Sequence, residues 1–108
     1  MTPVILETPY AGDVERNVRF ARACMRDCLL RGEAPFASHL LYTQAGVLND
    51  DVPSERQHGI EAGFAWRERS SYTVVYTNLG ISRGMEYGIA HAKETGAHIA
   101  YRILEGEW

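Results

Sequence analysis

Two hydrophobic rhythms alternate along the chain. Pro3 to Thr8 (PVILET) is a short apolar run, which predicts a buried strand. Pro9-Tyr10-Ala11-Gly12 follows as a loop. Asp13 stands where an N-cap belongs, because its carboxylate accepts from the free amides of a first helical turn. Val14, Val18, Ala21, Met25, Cys28 and Leu29 then recur at helical spacing up to Leu30, and Gly32 closes that helix. Ala34 to Leu41 (APFASHLL) reads as a second strand. Tyr42 to Pro53 is a longer loop with the acidic run Asn49-Asp50-Asp51. Ser54 with Gln57 three residues on predicts a capping box. Ile60, Phe64 and Trp66 give the helix that follows its apolar side, ending near Arg69. Ser71 to Thr77 (SYTVVYT) is rich in β-branched and aromatic residues and predicts a strand. Asn78 to Gly80 is a turn. Ser82 caps a third helix through Thr95, Gly96 ends it, and His98 to Leu104 is the last strand. The tail from Glu105 to Trp108 is expected to fray unless Trp108 docks on a partner subunit.

The order βαβαβαβ predicts an α/β fold. Helical crossovers make a parallel sheet covered on both faces, here a small Rossmann- or flavodoxin-like three-layer sandwich with the first strand central. One domain spans residues 1–108. In such sheets ligands bind outside the carboxyl ends of the strands. Those ends are Thr8 to Asp13, His39 to Thr43, Thr77 to Glu86, and the tail.

Composition narrows the functional classes. Of 108 residues, 45% are hydrophobic and 23% charged, an ordinary globular mix. No apolar run approaches the roughly 18 residues of a membrane span, and Glu7 interrupts the apolar N-terminal stretch, unlike a signal peptide. The expected compartment is the cytoplasm, with no membrane partner. A net charge of -3 argues against a nucleic-acid polymer as partner. All basic residues but Lys93 are Arg, which suits anionic small ligands, although a GC-rich genome gives the same bias. Cys24 and Cys28 share one helical face, poor geometry for a disulfide, and read as buried free thiols. Asp13, Glu15 and Asn17 read as capping and solvated groups rather than a Mg²⁺ site, and the histidines lack metal spacing, so no metal or cofactor is expected.

The segment with most chemistry is Gly80-Ile-Ser-Arg-Gly-Met-Glu-Tyr-Gly-Ile-Ala-His-Ala92. It leaves a strand's carboxyl end and enters a helix. Ser82, Arg83 and Gly84 stand at the helix N-terminus, where free amides and the dipole favour an anion. Glu86 falls in the first turn, where a carboxylate also serves simply as a helix-stabilising charge.

Gly84-Met85-Glu86-Tyr87-Gly88-Ile89-Ala90 resembles the Gly-Met-Glu-Leu-Gly-Tyr-Ala segment of nucleoside 2-deoxyribosyltransferases. It is also similar to the Gly-Tyr-Glu-Leu-Gly segment of 2'-deoxynucleoside 5'-phosphate N-hydrolases. The whole chain resembles short phage and bacterial relatives of unknown function in that superfamily. Their four motifs match Thr8 to Asn17, Pro35 to Gln44, Gly59 to Trp66 and Gly80 to Met85.

The resemblance implies that Glu86 attacks the anomeric carbon of a deoxyribose, forming a glycosyl-enzyme ester that water or a second base resolves. Tyr10 would donate to the ring oxygen or to Glu86. The implied binding set is Thr8, Pro9, Ala11, Gly12, Asp13, His39, Ser82, Arg83, Gly84 and Met85, with His39 facing the nucleobase. The implied partner is a small nucleoside or nucleotide, and the implied assembly a homodimer or larger homo-oligomer with sites near the interface. One position departs: the relatives' Asp on the helix before the third strand falls here on Gly63, which has no acid to offer. Glu61 and Glu68 lie off that face, leaving Asp50, Asp51 or a partner's residue as substitutes. The expectation is an N-glycosidase or deoxyribosyltransferase. The alternative is a catalytically silent nucleotide-binding module, such as a phage protein that sequesters a nucleotide signal of host defence.

Overall fold

The computed structural model describes residues 1–108. Four strands, β1 (Thr2–Glu7), β2 (Glu33–Phe36), β3 (Tyr72–Tyr76) and β4 (Ile99–Arg102), form one sheet in the order β2-β1-β3-β4. Every pairing is parallel, with Val4 opposite Pro35 and Tyr72, and Tyr76 opposite Arg102. β1 is an inner strand, as expected. No helix is long and apolar enough to cross a membrane.

Alternation along β1 divides the two faces. Val4 and Leu6 join Val74, Tyr76, Phe20, Cys24 and Cys28 in the larger core, under helix α1 (Val14–Leu30). Asp13 caps α1, its Oδ1 accepting from the Arg16 amide at 3.1 Å. The opposite face carries Val75 against Met85 and Ile89 of helix α4 (Arg83–Glu94). Ser82 caps α4, accepting from the Met85 amide at 3.3 Å. The helix runs from the carboxyl ends of the strands toward their amino ends, so Lys93 lies in its last turn, far from its capped start.

Three expectations are corrected. The apolar run from Ala34 to Leu41 is not one strand. β2 stops at Phe36, and Ser38–Leu41 forms a short helix, α2. The ladder ends with Phe36 opposite Ile5, and beyond it the backbone bonds locally, the Leu41 amide donating to the Ala37 carbonyl, which turns Ser38 and His39 into the wall of a cavity. The long helix α3 (Pro53–Arg67) starts one residue before the predicted Ser54 cap. Val52 is its N-cap with no side-chain bond, and Pro53 fills the first turn, where its missing N–H costs nothing. The tail is docked, not frayed. Trp108 packs edge-to-face on Phe20 of the same chain, centroids 4.8 Å apart, under the Arg19 guanidinium.

Candidate functional site

A cavity of about 360 Å³ opens at the carboxyl ends of the strands. β1 and β3 are neighbours there, with α1 on one face and α3 and α4 on the other, the switch point where open α/β sheets bind ligands. Its walls come from the end of β1, from α2, from the loop through Leu48 and Asp50, from the start of α3, and from Ser82 to Met85 at the head of α4.

Most of the residues singled out in the sequence meet in this cavity. Thr8, Tyr10, Ala11, Gly12, His39, Ser82, Arg83, Gly84 and Met85 all line it. Pro9 is buried beside it without lining it, and Asp13 is exposed and spent on its cap. The loop from Pro9 to Gly12 is pinned from below. Asn17 is buried and its amide donates to the Tyr10 carbonyl at 2.9 Å and the Ala11 carbonyl at 3.1 Å.

Glu86 does not meet them. It is exposed in the first turn of α4 and lines no part of the cavity. The helix turns Met85, Gly88 and Ile89 inward, and Glu86 falls about 100° past Met85, on the solvent side. The expectation that its carboxylate enters the pocket is therefore corrected. What remains at that position is an acidic group at a helix N-terminus, stabilising on its own account.

Thr8 Oγ1 and His39 Nε2 share a 2.6 Å hydrogen bond, and Tyr10 meets the His39 ring edge-on at 6.5 Å. Burial pushes the His39 pKa down to about 4, so the imidazole is neutral at pH 7. Arg56, from α3, lines the same cavity, and its Nη2 lies 3.9 Å from where a side chain on Gly84 would begin. Neither Arg56 nor Arg83 belongs to an ion pair. The chain's two pairs, Arg31–Asp27 and Arg102–Glu33, lie elsewhere. The head of α4 thus combines free amides with two guanidinium groups outside any ion pair, Arg83 reaching only the Tyr87 hydroxyl at 3.5 Å, an arrangement suited to an anion.

Three other carboxylate residues, Glu7, Asp50 and Glu55, do line the cavity. Glu7, the last residue of β1, shares the α4-facing side of the strand with Ile5 and lines the cavity floor. A Cβ on Gly88 would lie 1.7 Å from Glu7 Oε2, so the carboxylate occupies the space a side chain on α4 would fill. No side-chain hydrogen bond engages the Glu7 oxygens, and beside Gly88 they border a smaller pocket of about 50 Å³ between α3 and α4, which Phe64 and Arg67 also line. Burial raises the Glu7 pKa to about 7 against the opposing pull of the Arg67 charge. Arg67 is itself committed: Nε donates to His91 Nδ1 at 3.0 Å and Nη1 to Thr73 Oγ1 at 2.5 Å. His91 in turn stacks on Phe64 at 3.8 Å.

Sequence reasoning missed Glu7 and Arg56 as cavity residues. Glu7 carried a signal, being the charged residue at the end of an otherwise apolar strand. Arg56 carried none. Gly63, where an acid was missed, packs α3 onto α2: a Cβ there would meet Ser38 Oγ at 2.8 Å. Asp50 and Glu55 do line the cavity, and Asp51 does not.

Residues 2–102 match the family described as a domain of unknown function (DUF7768). No curated protein matches the chain, and no solved structure does.

Proposed function

We propose that this chain, which belongs to the DUF7768 family, binds a small nucleoside or nucleoside monophosphate in the cavity above β1. The observation that carries this reading is one cavity lined by two unlike groups of residues. Arg56, Arg83 and the Ser82-capped start of α4 present positive charge outside any ion pair and amide donors to a phosphate. Tyr10 and the neutral His39 offer an aromatic edge and hydrogen-bonding nitrogen to a base. A volume of about 360 Å³ lies within the range of small-ligand pockets.

The position of Glu86 favours binding without chemistry at that residue, and so favours the binding-module side of the alternatives. The test is a thermal-shift and calorimetric screen of nucleosides and their monophosphates. A ligand held only by the native state raises the melting temperature. Monophosphates should stabilise more than nucleosides, and Arg56→Ala with Arg83→Ala should remove that difference. No shift with any member of the panel overturns the reading.

The proposed assembly is a homodimer. Trp66 on α3 and Leu41 on α2 remain 48% and 45% exposed on neighbouring helices, which supports a covering subunit. A monomeric mass by light scattering at micromolar concentration would count against it.

A further inference from the structure

The geometry points to the outer edge of β4 as a strand-pairing surface, whose partner is the same strand of a second copy, antiparallel about Tyr101, so that two four-stranded sheets join into one. The two edges of the sheet are built differently, and that difference carries the inference. At the β2 edge the Thr2 amide donates to the Gly32 carbonyl, so Gly32, Ala34 and Phe36 turn toward β1, and Glu33 and Pro35 turn outward. Pro35 has no N–H to offer, and Phe36 lies against Trp66 and Tyr42, so this edge is blunted and partly covered.

The β4 edge has no such guard. The Thr73 amide donates to the His98 carbonyl and the Thr77 amide to the Arg102 carbonyl, both at 2.9 Å. His98, Ala100 and Arg102 therefore face β3, and alternation turns the backbone of Ile99, Tyr101 and Ile103 outward. Asn78 extends the ladder past the strand, accepting from the Leu104 amide at 2.8 Å and donating to its carbonyl at 2.9 Å. None of the three outward residues is charged or proline, the usual devices that keep an edge unpaired. Their side chains lie on the α4 side of the sheet. Ile99 packs on the Val75, Met85 and Ile89 core, and Tyr101 and Ile103 stand 55% and 67% exposed.

A second copy is the occupant because the edge is its own complement. With a two-fold axis at Tyr101, Tyr101 faces the partner's Tyr101, and Ile99 faces the partner's Ile103. Each of these pairs exchanges backbone hydrogen bonds, and the apolar side chains join into one strip. No like charges meet. Arg102 faces the partner's Ala100 and is committed to Glu33 in its own chain, and Glu105 faces the partner's Ala97. No residue from His98 to Leu104 lines the cavity, so pairing leaves both cavities open, at opposite ends of the joined sheet. This surface is at the other edge of the sheet from Phe36 and Trp66, and where both are covered the assembly is larger than a dimer.

The experiment combines sedimentation mass with amide hydrogen exchange resolved by NMR, on the full chain. In the wild type the outward amides of Ile99 and Ile103 should be protected. Tyr101→Lys puts like charges opposite one another at the axis. It should lower the mass at least twofold and speed exchange at Ile99 and Ile103 by about tenfold or more, leaving Ala100 and Arg102 unchanged. Mixing Tyr101→Lys with Tyr101→Glu should restore the wild-type mass, which separates lost pairing from lost folding. Ile103→Lys, at a position with no part in the core, should lower the mass as well. An unchanged mass in Tyr101→Lys, fast exchange at Ile99 and Ile103 in the wild type, or a mixture that fails to reassociate overturns the proposal. So does protection of those amides at a monomeric mass, which would give the edge a different occupant.

Discussion

Arg102, the last residue of the last strand, closes on Glu33, the first residue of the second, with Nη1 2.6 Å from Oε1 and Nη2 2.5 Å from Oε2. The two belong to opposite edge strands of the sheet. Both side chains are largely buried, at 16% and 5% exposure. Tyr72 donates to the same carboxylate, and the bond from Arg102 holds the Glu33 pKa below the ordinary range.

Removing one partner of a buried pair leaves the other charge stranded. Arg102→Met should cost about 3–5 kcal/mol in urea denaturation, whereas replacing both residues with apolar groups of similar volume should cost far less. Equal losses in the single and double variants would contradict this account.

The pH dependence of stability has two opposing sources. Glu7 has its pKa raised from 4.5 to about 7 by burial, so the folded state holds its proton more tightly. Its contribution is present below pH 4.5 and is lost as pH rises through about 7. His39 has its pKa lowered from 6.5 to about 4 by burial, so the unfolded state binds its proton first, and stability is lost as pH falls below 6.5. Between pH 4.5 and 6.5 the slopes offset. Glu7→Gln removes one of them. It should be more stable than wild type at pH 8, by about 3 kcal/mol at 1.36 kcal/mol per pKa unit. It should also lose stability steadily on acidification below pH 6.5, where wild type stays nearly level. Thermal melts from pH 4 to 8 measure both.

Trp108 holds the tail to α1 through Phe20 and Arg19. Trp108→Ala should cost about 2 kcal/mol from lost aromatic contact and burial. It should also speed proteolysis after Leu104 without changing ligand affinity, because the contact lies away from the cavity.

Asn17 serves the site without touching a ligand. Asn17→Ala leaves the Tyr10 and Ala11 carbonyls without their donor, at a cost of about 1–3 kcal/mol. Nucleoside binding should weaken in the calorimetric screen, because the loop that carries Tyr10 is no longer fixed. Asn17→Asp, which cannot donate, should behave like the alanine variant.

What could be read from sequence was whatever repeats locally. Alternation at Val4 and Leu6, and helical spacing from Val14 to Leu29, located the layers because each pattern lies within one element. The polar caps Asp13 and Ser82 marked two helix starts for the same reason. The run APFASHLL misled because a short apolar stretch is compatible with strand or helix, and only the cavity at Ser38 and His39 decides. Glu86 and Glu7 exchanged places for a different reason. Which side of α4 faces the sheet depends on packing against Val75 and Glu7, residues far away in sequence. A motif names a carboxylate but does not fix the rotation of the helix that carries it.

The direction of α4 also makes the molecule convenient to instrument. Its one lysine, Lys93, is exposed in the last turn of that helix, at the end remote from Ser82 and the cavity. Amine-directed coupling of a fluorophore or a surface tether to the Lys93 side chain therefore leaves the mouth of the cavity clear, and immobilised or single-molecule tests of the proposed binding are open to the unmodified sequence.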